Sequence, residues 1–257
     1  MIGTYKQGIT FFDKFAILFY FLFQMPTSKI LRIIKISKKH PKFIKKIYVK
    51  NKQGIFFCSN DYEVFCSSLE GYEKPLQKFS IDEGVFIDVG ANIGSYSIRF
   101  ARKLINRGQV ISIEPEKNNL DILKKNIKLN RLKNIKVLEY LCSNVEQELP
   151  FYINEGIGGH SLEVKTKKKI FIKSKKIDSI IKELGIDRVD LIKIDVEGHE
   201  SKVLMGALNT LKKFHPKIIF ESWDIEHLEE VKNVLYEFNY KIEKTGELNN
   251  YFAYVEK

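Results

Sequence analysis

From residue 55 onward, short apolar and β-branched runs alternate with segments whose apolar residues recur every three to four positions. The runs predict strands, and spacing such as Leu120, Leu123 and Ile127 predicts helices. This alternation is typical of an α/β fold with a mainly parallel sheet. The main predicted strands are 85–90, 109–115, 135–141, 190–195 and 217–222, and the predicted helices are 94–104, 118–130, 177–185, 199–214 and 225–238.

Shorter elements are predicted from turn residues and local patterns. Residues 55–66 are interpreted as a hairpin that turns at Ser59-Asn60-Asp61, and residues 67–79 as a helix interrupted near Pro75. A glycine-rich turn is expected at 156–161. The remaining predicted strands are 149–154 and 169–174, which flank that turn, and 240–245 and 250–256, which end the chain.

The first 54 residues differ from the rest in hydropathy and charge. Nine uninterrupted apolar residues at 15–23 predict a helix, which at ~1.5 Å per residue covers about half of a ~30 Å hydrocarbon core and is too short to span it. A basic amphipathic stretch follows at 28–39, and a small-residue cleavage signal of a secretory peptide is missing. This arrangement suits the surface of an anionic membrane; alternatively, the aromatic run packs on the following domain as a lid or dimer element.

Charge is distributed unevenly along the chain. Of the net charge of +11, all belongs to residues 1–54, which hold twelve Lys/Arg and one acid, whereas residues 55–257 hold 31 of each sign. The larger part therefore lacks the global basic footprint of a protein that binds a polyanion. We predict an N-terminal extension over 1–54 and a separate domain over 55–257.

Composition limits the class of protein further. Hydrophobic residues make up 44% of the chain and charged residues 29%, which excludes wholesale disorder. The three cysteines, Cys58, Cys66 and Cys142, form no C-x-x-C pair, so we expect neither a disulfide scaffold nor a cysteine zinc site. This usage fits a reducing compartment, and we predict a cytoplasmic protein with peripheral membrane association as an open alternative.

Acidic residues cluster where the predicted strands end. Parallel α/β sheets bind ligands at the carboxyl ends of their strands, near the point where the strand order reverses. Seven carboxylates stand at these ends. They are Asp88, Glu114, Glu116, Asp195, Glu197, Glu200 and Glu221.

The turn after the first of these strands indicates a nucleotide-like cofactor. Gly90 and Gly94 bound a tight turn, and Glu114 follows twenty residues later, where a carboxylate accepts hydrogen bonds from ribose. The dinucleotide pattern G-x-G-x-x-G is broken at Asn92, and a pyrophosphate would be repelled by the acidic strand ends. S-adenosyl-L-methionine carries no phosphate and has cationic sulfonium and ammonium groups, so the charge favours it over NAD.

The motifs FIDVGANIG (86–94), GIGGHSL (156–162), LIKIDVEGHE (191–200) and IIFE (218–221) together resemble those of FkbM-type methyltransferases. The resemblance covers roughly residues 65–225. It implies a Rossmann-like class I methyltransferase fold, with a mostly parallel seven-stranded sheet and helices on both faces. It also implies S-adenosyl-L-methionine as cofactor and O-methylation of a sugar or polyketide hydroxyl.

The resemblance assigns roles to individual residues. Glu114 would bind the ribose of the cofactor and Ser143 its adenine, and Asp195 would lie beside the sulfonium and the acceptor. The residues around the methionine part would be Asp88, Gly90, Asn92 and Gly94.

A positioned base should assist an aliphatic hydroxyl, which is a weak nucleophile. Asp195 and Glu197 are the preferred candidates and His199 is the second choice, because all three follow the same strand. A divalent metal held by Asp195, Glu197 and Glu221 is an alternative that we do not adopt, so no metal site is predicted.

The acceptor class is left open by the sequence. We expect a hydroxyl on a sugar, a glycan or another small-molecule or lipid-linked acceptor. Two alternatives remain, an RNA methyltransferase that uses the basic N-terminal arm and a non-catalytic membrane-associated adaptor. Nucleic acid is disfavoured because D-V-E-G-H-E lacks the proline and aromatic residue that enzymes methylating base amino groups use to stack a flipped base.

Overall fold

The computed structural model describes residues 46–60, 80–153, 168–245 and 249–256, together with the single residues 12, 63, 67 and 162. The predicted segments 15–23 and 28–39, most of 67–79 and the turn at 156–161 lie outside the described residues. Within the described part of the chain, every helix is too short or too polar to cross a membrane.

Strands and helices alternate along most of the described chain. The strands are β1 (Ile47–Asn51), β2 (Gly54–Cys58), β3 (Gly84–Val89), β4 (Gly108–Ile113), β5 (Ile135–Leu138), β6 (Leu141–Cys142), β7 (Glu148–Ile153), β8 (Lys168–Lys175), β9 (Leu191–Ile194), β10 (Lys217–Glu221), β11 (Lys241–Lys244) and β12 (Asn250–Tyr254). The helices are α1 (Ser95–Lys103), α2 (Lys117–Leu129), α3 (Ile177–Leu184), α4 (Glu200–Met205), α5 (Leu208–Phe214) and α6 (Ile225–Tyr236).

Seven strands form one sheet in the order β11-β12-β10-β9-β3-β4-β5. The five strands β10, β9, β3, β4 and β5 run parallel to one another, and β12 runs antiparallel to both β10 and β11. The chain therefore moves from β3 outward to β5 and returns to β9 on the other side of β3. This arrangement confirms the predicted α/β fold with a mostly parallel seven-stranded sheet.

Alternate residues of the central strands pack on opposite faces of the sheet, as the two-residue period of a strand requires. In β3, Ile87 belongs to a core cluster with α3, α4, α5 and α6, whereas Phe86 packs with Phe100 of α1 on the other face. Both side chains are fully buried, and burial of a side chain of this size contributes about 1.5–3 kcal/mol. Because helices cover both faces, β3 is apolar at nearly every position instead of alternating with polar residues.

A second, smaller sheet has the order β6-β8-β7. The strand predicted over 135–141 ends at Leu138, because Leu141 and Cys142 leave the large sheet and pair in parallel with β8. β7 and β8 pair antiparallel, as the two strand-like stretches predicted. One face of this sheet carries an apolar cluster that includes Leu141, Phe151 and Ile153.

The hairpin predicted over 55–66 is wrong, because β2 pairs antiparallel with β1 and Glu63 is helical. At the expected turn, Asn60 Oδ1 accepts a hydrogen bond from the Glu63 backbone N at 3.0 Å, and Glu63 Oε1 accepts one from Ser59 Oγ at 2.8 Å. A polar residue three positions before a glutamate marks the start of a helix. The boundary predicted after residue 54 falls at the first residue of β2.

The helix predicted over 199–214 is interrupted between α4 and α5. A Cβ at Gly206 would lie 2.2 Å from the carbonyl oxygen of Ser143, so the helix reaches this contact only with glycine. Asp178 of α3 caps the new start of α5, where its two carboxylate oxygens accept hydrogen bonds from the backbone N of Asn209 and Thr210. The capping residue lies on another helix, so local periodicity could not show this break.

Candidate active site

A cleft lies at the carboxyl ends of β3, β4 and β9, where the strand order reverses. Ligands of open α/β sheets bind at such points. The cleft contains about 650 Å³ of empty space, part of it open to solvent. Its polar lining residues are Asn92, Glu114, Asn119, Asp195, Glu197 and His199, and the small sheet contributes Leu141, Cys142 and Phe151.

The turn between β3 and α1 passes directly under the cleft. Gly90 has a φ of 76°, and a Cβ there would lie 2.0 Å from the carbonyl oxygen of Asp195. This contact explains why glycine is required at the end of β3. Asn92 has a φ of 50°, in the left-handed region that asparagine tolerates better than most residues.

Glu114 follows β4 and holds this turn through backbone hydrogen bonds. Its Oε2 accepts from the Asn92 backbone N at 2.8 Å, and its Oε1 accepts from the Glu116 backbone N at 2.9 Å. The side chain of Asn119 also donates to Oε1, at 3.3 Å. Burial raises the pKa of the Glu114 carboxyl to about 7, although the backbone hydrogen bonds oppose the rise. The protein thus keeps a buried carboxyl group at the cleft with both oxygens in fixed positions.

Asp88 lies beneath the cleft, in the interior of β3. Its side chain is fully buried, and Oδ2 accepts a hydrogen bond from Ser97 Oγ at 2.6 Å. Burial raises the pKa of the Asp88 carboxyl above its ordinary value, and the nearby Lys193 ammonium opposes this effect. Asp88 is absent from the residues that line the cleft.

Asp195, directly after β9, reaches the cleft with a side chain that is 35% exposed. Its Oδ2 lies 3.0 Å from the ammonium nitrogen of Lys193, which is buried behind it. The carboxylate is therefore held from below by a cation while its other side faces the cleft.

Glu197 lies in a strained loop. Its φ is 58°, and residues other than glycine in this region cost about 1–3 kcal/mol unless the surroundings hold them there. Glu200 supplies part of that hold, because its Oε1 accepts from the backbone N of Val196 at 3.1 Å and of Gly198 at 3.3 Å. Observed strain of this kind is concentrated at functional sites.

The Glu197 carboxyl group is oriented by Trp223, whose indole N–H donates to Oε2 at 3.1 Å. Burial and the charge of Asp195 raise the pKa of Glu197 to about 7, and the Trp223 hydrogen bond opposes this rise. Glu221 ends β10 nearby. Burial and the charges of Asp195 and Glu197 raise the pKa of Glu221 to about 8. Among the described residues, the His, Cys, Asp and Glu side chains form no group of three or more arranged to hold a metal ion.

His199 precedes α4 and closes another side of the cleft. Its Nε2 lies 3.0 Å from Ser143 Oγ, and the two side chains are 9% and 1% exposed. The imidazole is thereby tied to the segment that follows β6. It reaches the cleft, whereas Ser143 itself does not line it.

A comparison of the sequence with known protein families tests the resemblance found in the motifs. Residues 88–251 match the family model of the methyltransferase FkbM domain, which is more than half of the chain. The chain belongs to this family. The match confirms the resemblance found in the motifs and, for this FkbM domain, the predicted class of S-adenosyl-L-methionine-dependent methyltransferase.

Three curated proteins are similar to this FkbM chain. It is 27% identical over 171 residues to the methyltransferase sdnD of Sordaria araneosa, which covers 54% of this chain and 66% of sdnD. It is 27% identical over 139 residues to the hexuronic acid methyltransferase AglP of Haloferax volcanii, covering 54% and 56% of the two chains. It is 26% identical over 165 residues to the 2-O-methyltransferase NoeI of Sinorhizobium fredii, covering 57% and 67%. This chain thus spans between about half and two thirds of the length of these relatives.

A crystal structure of the methyltransferase FkbM from Methylobacillus flagellatus KT has a similar fold. The TM-score is 0.54 at 18% sequence identity, and the similarity covers 98% of this chain and 57% of that chain. At this identity the comparison supports the fold alone.

The cleft of this chain brings together most of the residues singled out in the sequence. Six of the predicted site residues line it: Gly90, Asn92, Glu114, Asp195, Glu197 and His199. Three others lie behind its wall, namely Asp88 in β3, Gly94 before α1 and Ser143 beside His199. The roles of all nine remain predictions.

Sequence reasoning missed two residues that hold side chains of this site in place. Lys193 is the only charged residue in the buried strand β9, and a lysine in such a position signals a buried ionic partner. Trp223 is the single tryptophan of the chain and stands two residues beyond the acidic end of β10. Lys193 stands within the motif LIKIDVEGHE, which gave it no role, and Trp223 lies outside every motif, so only Lys193 offered a signal.

Proposed function

We propose that this protein transfers a methyl group from S-adenosyl-L-methionine to a hydroxyl on a sugar, a glycan or another small-molecule or lipid-linked acceptor. The observation that carries the proposal is the cleft at the strand-order reversal, which has Glu114 at one end and Asp195 and Glu197 at the other. Two relatives support the acceptor class, since their names describe a hexuronic acid methyltransferase and a 2-O-methyltransferase.

The polar groups and the charge of the cleft suit the donor. The β3–α1 turn at 90–94 and Glu114 form what we call the donor side, where backbone and carboxylate groups can bind the amino acid and ribose parts of the donor. The surrounding carboxylates favour a ligand with a positively charged sulfonium. When bound, S-adenosyl-L-methionine supplies an electrophilic methyl group.

The ends of β9 and β10 form what we call the acceptor side, and Glu197 is the best-placed general base there. A base works best when its pKa is near the working pH, and the pKa of Glu197 is about 7. Asp195 is held by the Lys193 ammonium at 3.0 Å, which favours a role in orientation and charge over proton removal. His199 is tied to Ser143 and remains the second choice.

In this mechanism, the acceptor hydroxyl binds between Asp195 and Glu197. Glu197 would take the hydroxyl proton and so leave the acceptor oxygen free to attack the methyl group that the bound donor would supply. Alignment at near-attack distance supplies much of the acceleration, and the strained loop around Glu197 contributes to it by fixing the carboxylate.

Two measurements on the full chain test the proposal. Calorimetry should show one S-adenosyl-L-methionine bound per chain, and a lysate incubated with the methyl-labelled donor should yield label in its glycan or lipid fraction. Label confined to RNA would favour the nucleic-acid alternative, and donor binding without transfer to any fraction would favour an adaptor. Tight binding of NAD with no affinity for S-adenosyl-L-methionine would refute the donor assignment.

Contact of residues 1–54 with an anionic membrane remains part of the proposal, on the basis of their net charge of +11. Each Lys or Arg near an anionic surface contributes on the order of 1 kcal/mol before screening. The full chain should therefore sediment with phosphatidylglycerol vesicles at low salt and be released at high salt. A chain that stays in the supernatant at low salt would refute this part.

A further inference from the structure

A lysine side chain lies buried under the cleft between two carboxylates. Lys193 is 5% exposed, and its ammonium nitrogen lies 3.0 Å from Asp195 Oδ2 and 3.7 Å from Asp88 Oδ1. The same nitrogen donates to the carbonyl oxygen of Gly90 at 3.3 Å and lies 4.8 Å from the ring centroid of Tyr96. Four groups, from the ends of β9 and β3 and from α1, therefore fix the position of this ammonium.

We propose that Lys193 is a positioning residue that fixes Asp195 and the β3–α1 turn in the arrangement that receives the methyl donor. The inference rests on the proposed function, because it assigns Lys193 a part in donor binding. Lys193 itself does not line the cleft and acts through its neighbours.

The sheet register shows how one side chain can reach both strand ends. Lys193 of β9 is directly opposite Asp88 of β3, and Asp195 and Gly90 each follow two residues later. The lysine thus joins the carboxyl ends of the two strands between which the strand order reverses. These are the ends from which the cleft begins.

The closest partner of Lys193 is the carboxylate that faces the cleft. A lysine that only joined two strands would need Asp88 alone, yet its distance to Asp195 is shorter, 3.0 Å against 3.7 Å. Burial by itself lowers the pKa of an ammonium, but the charges of Asp195 and Asp88 outweigh it and raise the pKa of Lys193 above its usual range. The cation therefore persists in the interior and holds Asp195 as its counter-ion.

A double-mutant cycle between Lys193→Met and Asp195→Ala tests whether the lysine acts through Asp195. The readout is the dissociation constant of S-adenosyl-L-methionine, measured by calorimetry on the full chain. Contacting residues have coupled effects, so we expect each single variant to bind about tenfold more weakly and the double variant to be no weaker than the weaker single. A double variant whose loss is the product of the single losses, about a hundredfold, would overturn the proposal.

The pH dependence of donor binding gives a second readout, which separates loss of the Lys193 charge from a loss of folded protein. Lys193 lowers the pKa of Glu197, which also faces Asp195 and Trp223, and that of Glu221, which also faces Asp195, Glu197 and Glu200. In Lys193→Met both pKa values should rise. The pH at which binding of the cationic donor improves should therefore move upward, and an unchanged pH profile would count against the proposal.

Lys193→Met leaves Asp88 as a buried carboxylate without a cation, which destabilises a fold strongly. The cycle is therefore repeated in an Asp88→Asn background, where that charge is absent, and circular dichroism checks the fold of each variant. Lys232→Met on α6 is the matched control, because this lysine pairs with Glu229 at 2.7 Å away from the cleft. Its donor affinity should equal that of the unmodified chain.

The outcomes separate this inference from the proposed function. If the unmodified chain does not bind S-adenosyl-L-methionine, the proposed function is refuted, and the inference about Lys193, which rests on it, is refuted with it. If it binds and Lys193→Met in the Asp88→Asn background keeps the affinity of that background, the proposed function stands and the role of Lys193 is refuted.

Discussion

On the donor side of the cleft, backbone groups make the decisive contacts, whereas on the acceptor side the side chains contact one another. Glu114 accepts hydrogen bonds from two backbone N–H groups that lie on either side of it. Glu197 is instead held by the indole of Trp223 and lies close enough to the charge of Asp195 for its pKa to rise.

Because of this difference, substitutions can adjust the acceptor side more easily than the donor side. A backbone contact depends on chain geometry, so the donor side requires glycine at position 90 and a left-handed residue at position 92. The acceptor side depends on side-chain identity, and one substitution there changes charge and pKa together. A shared donor combined with variable acceptors fits this arrangement.

Replacing the proposed base should have the largest effect. Glu197→Gln keeps the side-chain size and removes the proton acceptor, so we expect methyl transfer to fall by about 10²–10⁴-fold. Donor affinity should fall far less than the transfer rate, because Glu197 lies on the acceptor side and supplies only one of the charges that attract the cationic donor. The measurement is the rate of label transfer into the glycan or lipid fraction, with Glu229→Gln on α6 as control. Transfer within tenfold of the unmodified rate would move the base assignment to Asp195 or His199.

Breaking the donor side should affect binding instead. Glu114→Ala removes the acceptor for two backbone N–H groups and, in the proposed assignment, for the ribose, and hydrogen bonds to charged groups contribute about 1.5–3 kcal/mol each. We expect donor affinity to fall by about a hundredfold or more, measured by calorimetry. Glu139→Ala, on the exposed chain after β5, is the control. Unchanged affinity in Glu114→Ala would contradict the assignment of the donor side.

Stability should fall as the pH rises from about 5 to 8. Burial raises the pKa of Glu114, Glu197 and Glu200 to about 7 and that of Glu221 to about 8, against 4.5 for an unperturbed glutamate. Between pH 4.5 and the raised pKa values, the folded chain binds more protons than the unfolded chain. The contribution of these four groups to the free energy of unfolding is therefore greatest below pH 4.5 and is lost as they ionise in the folded chain.

Urea unfolding at several pH values measures this loss. Glu221→Gln should flatten the upper part of the curve, near pH 8, and saturating S-adenosyl-L-methionine should flatten the whole of it because a cation favours the ionised carboxylates. A free energy of unfolding that rises between pH 5 and 8 would contradict the burial of these four groups.

The smallest expected effect is a shift in pH dependence on the acceptor side. Trp223→Phe removes the indole hydrogen bond that lowers the pKa of Glu197, so the pKa should rise above about 7. Methyl transfer should need a higher pH to reach half of its maximum, while donor affinity at high pH stays the same. Tyr236→Phe, an exposed aromatic on α6, is the control. An unchanged pH profile would show that the indole does not orient the base.

The parallel core was predictable because its residues carry local signals. Buried strands such as β3 and β9 are apolar runs, and α2 and α3 begin and end within one or two residues of the predicted positions. The glycines of the motif identified the donor side, because Gly90 adopts a positive φ that few other residues tolerate.

The rest depends on contacts between distant segments. The break at Gly206 follows from the carbonyl of Ser143, and the start of α5 is capped by Asp178 from another helix. The pairing of β1 with β2 depends on residues assigned to a different part of the chain. On the acceptor side, the hydrogen bond from Trp223 to Glu197 joins two strand ends that no motif links.

The small sheet β6-β8-β7 has a consequence for how such enzymes diversify. Within the residues that the structure describes, its strands pair only with one another, and it is inserted between β5 and α3 while its apolar face borders the cleft. The strands β7 and β8 can therefore change without disturbing the register of the large sheet, whereas Cys142 packs in the main core and Ser143 against Gly206. A chimera that receives β7 and β8 from a relative should fold around the same donor pocket and inherit part of the relative's preference among hydroxyl groups.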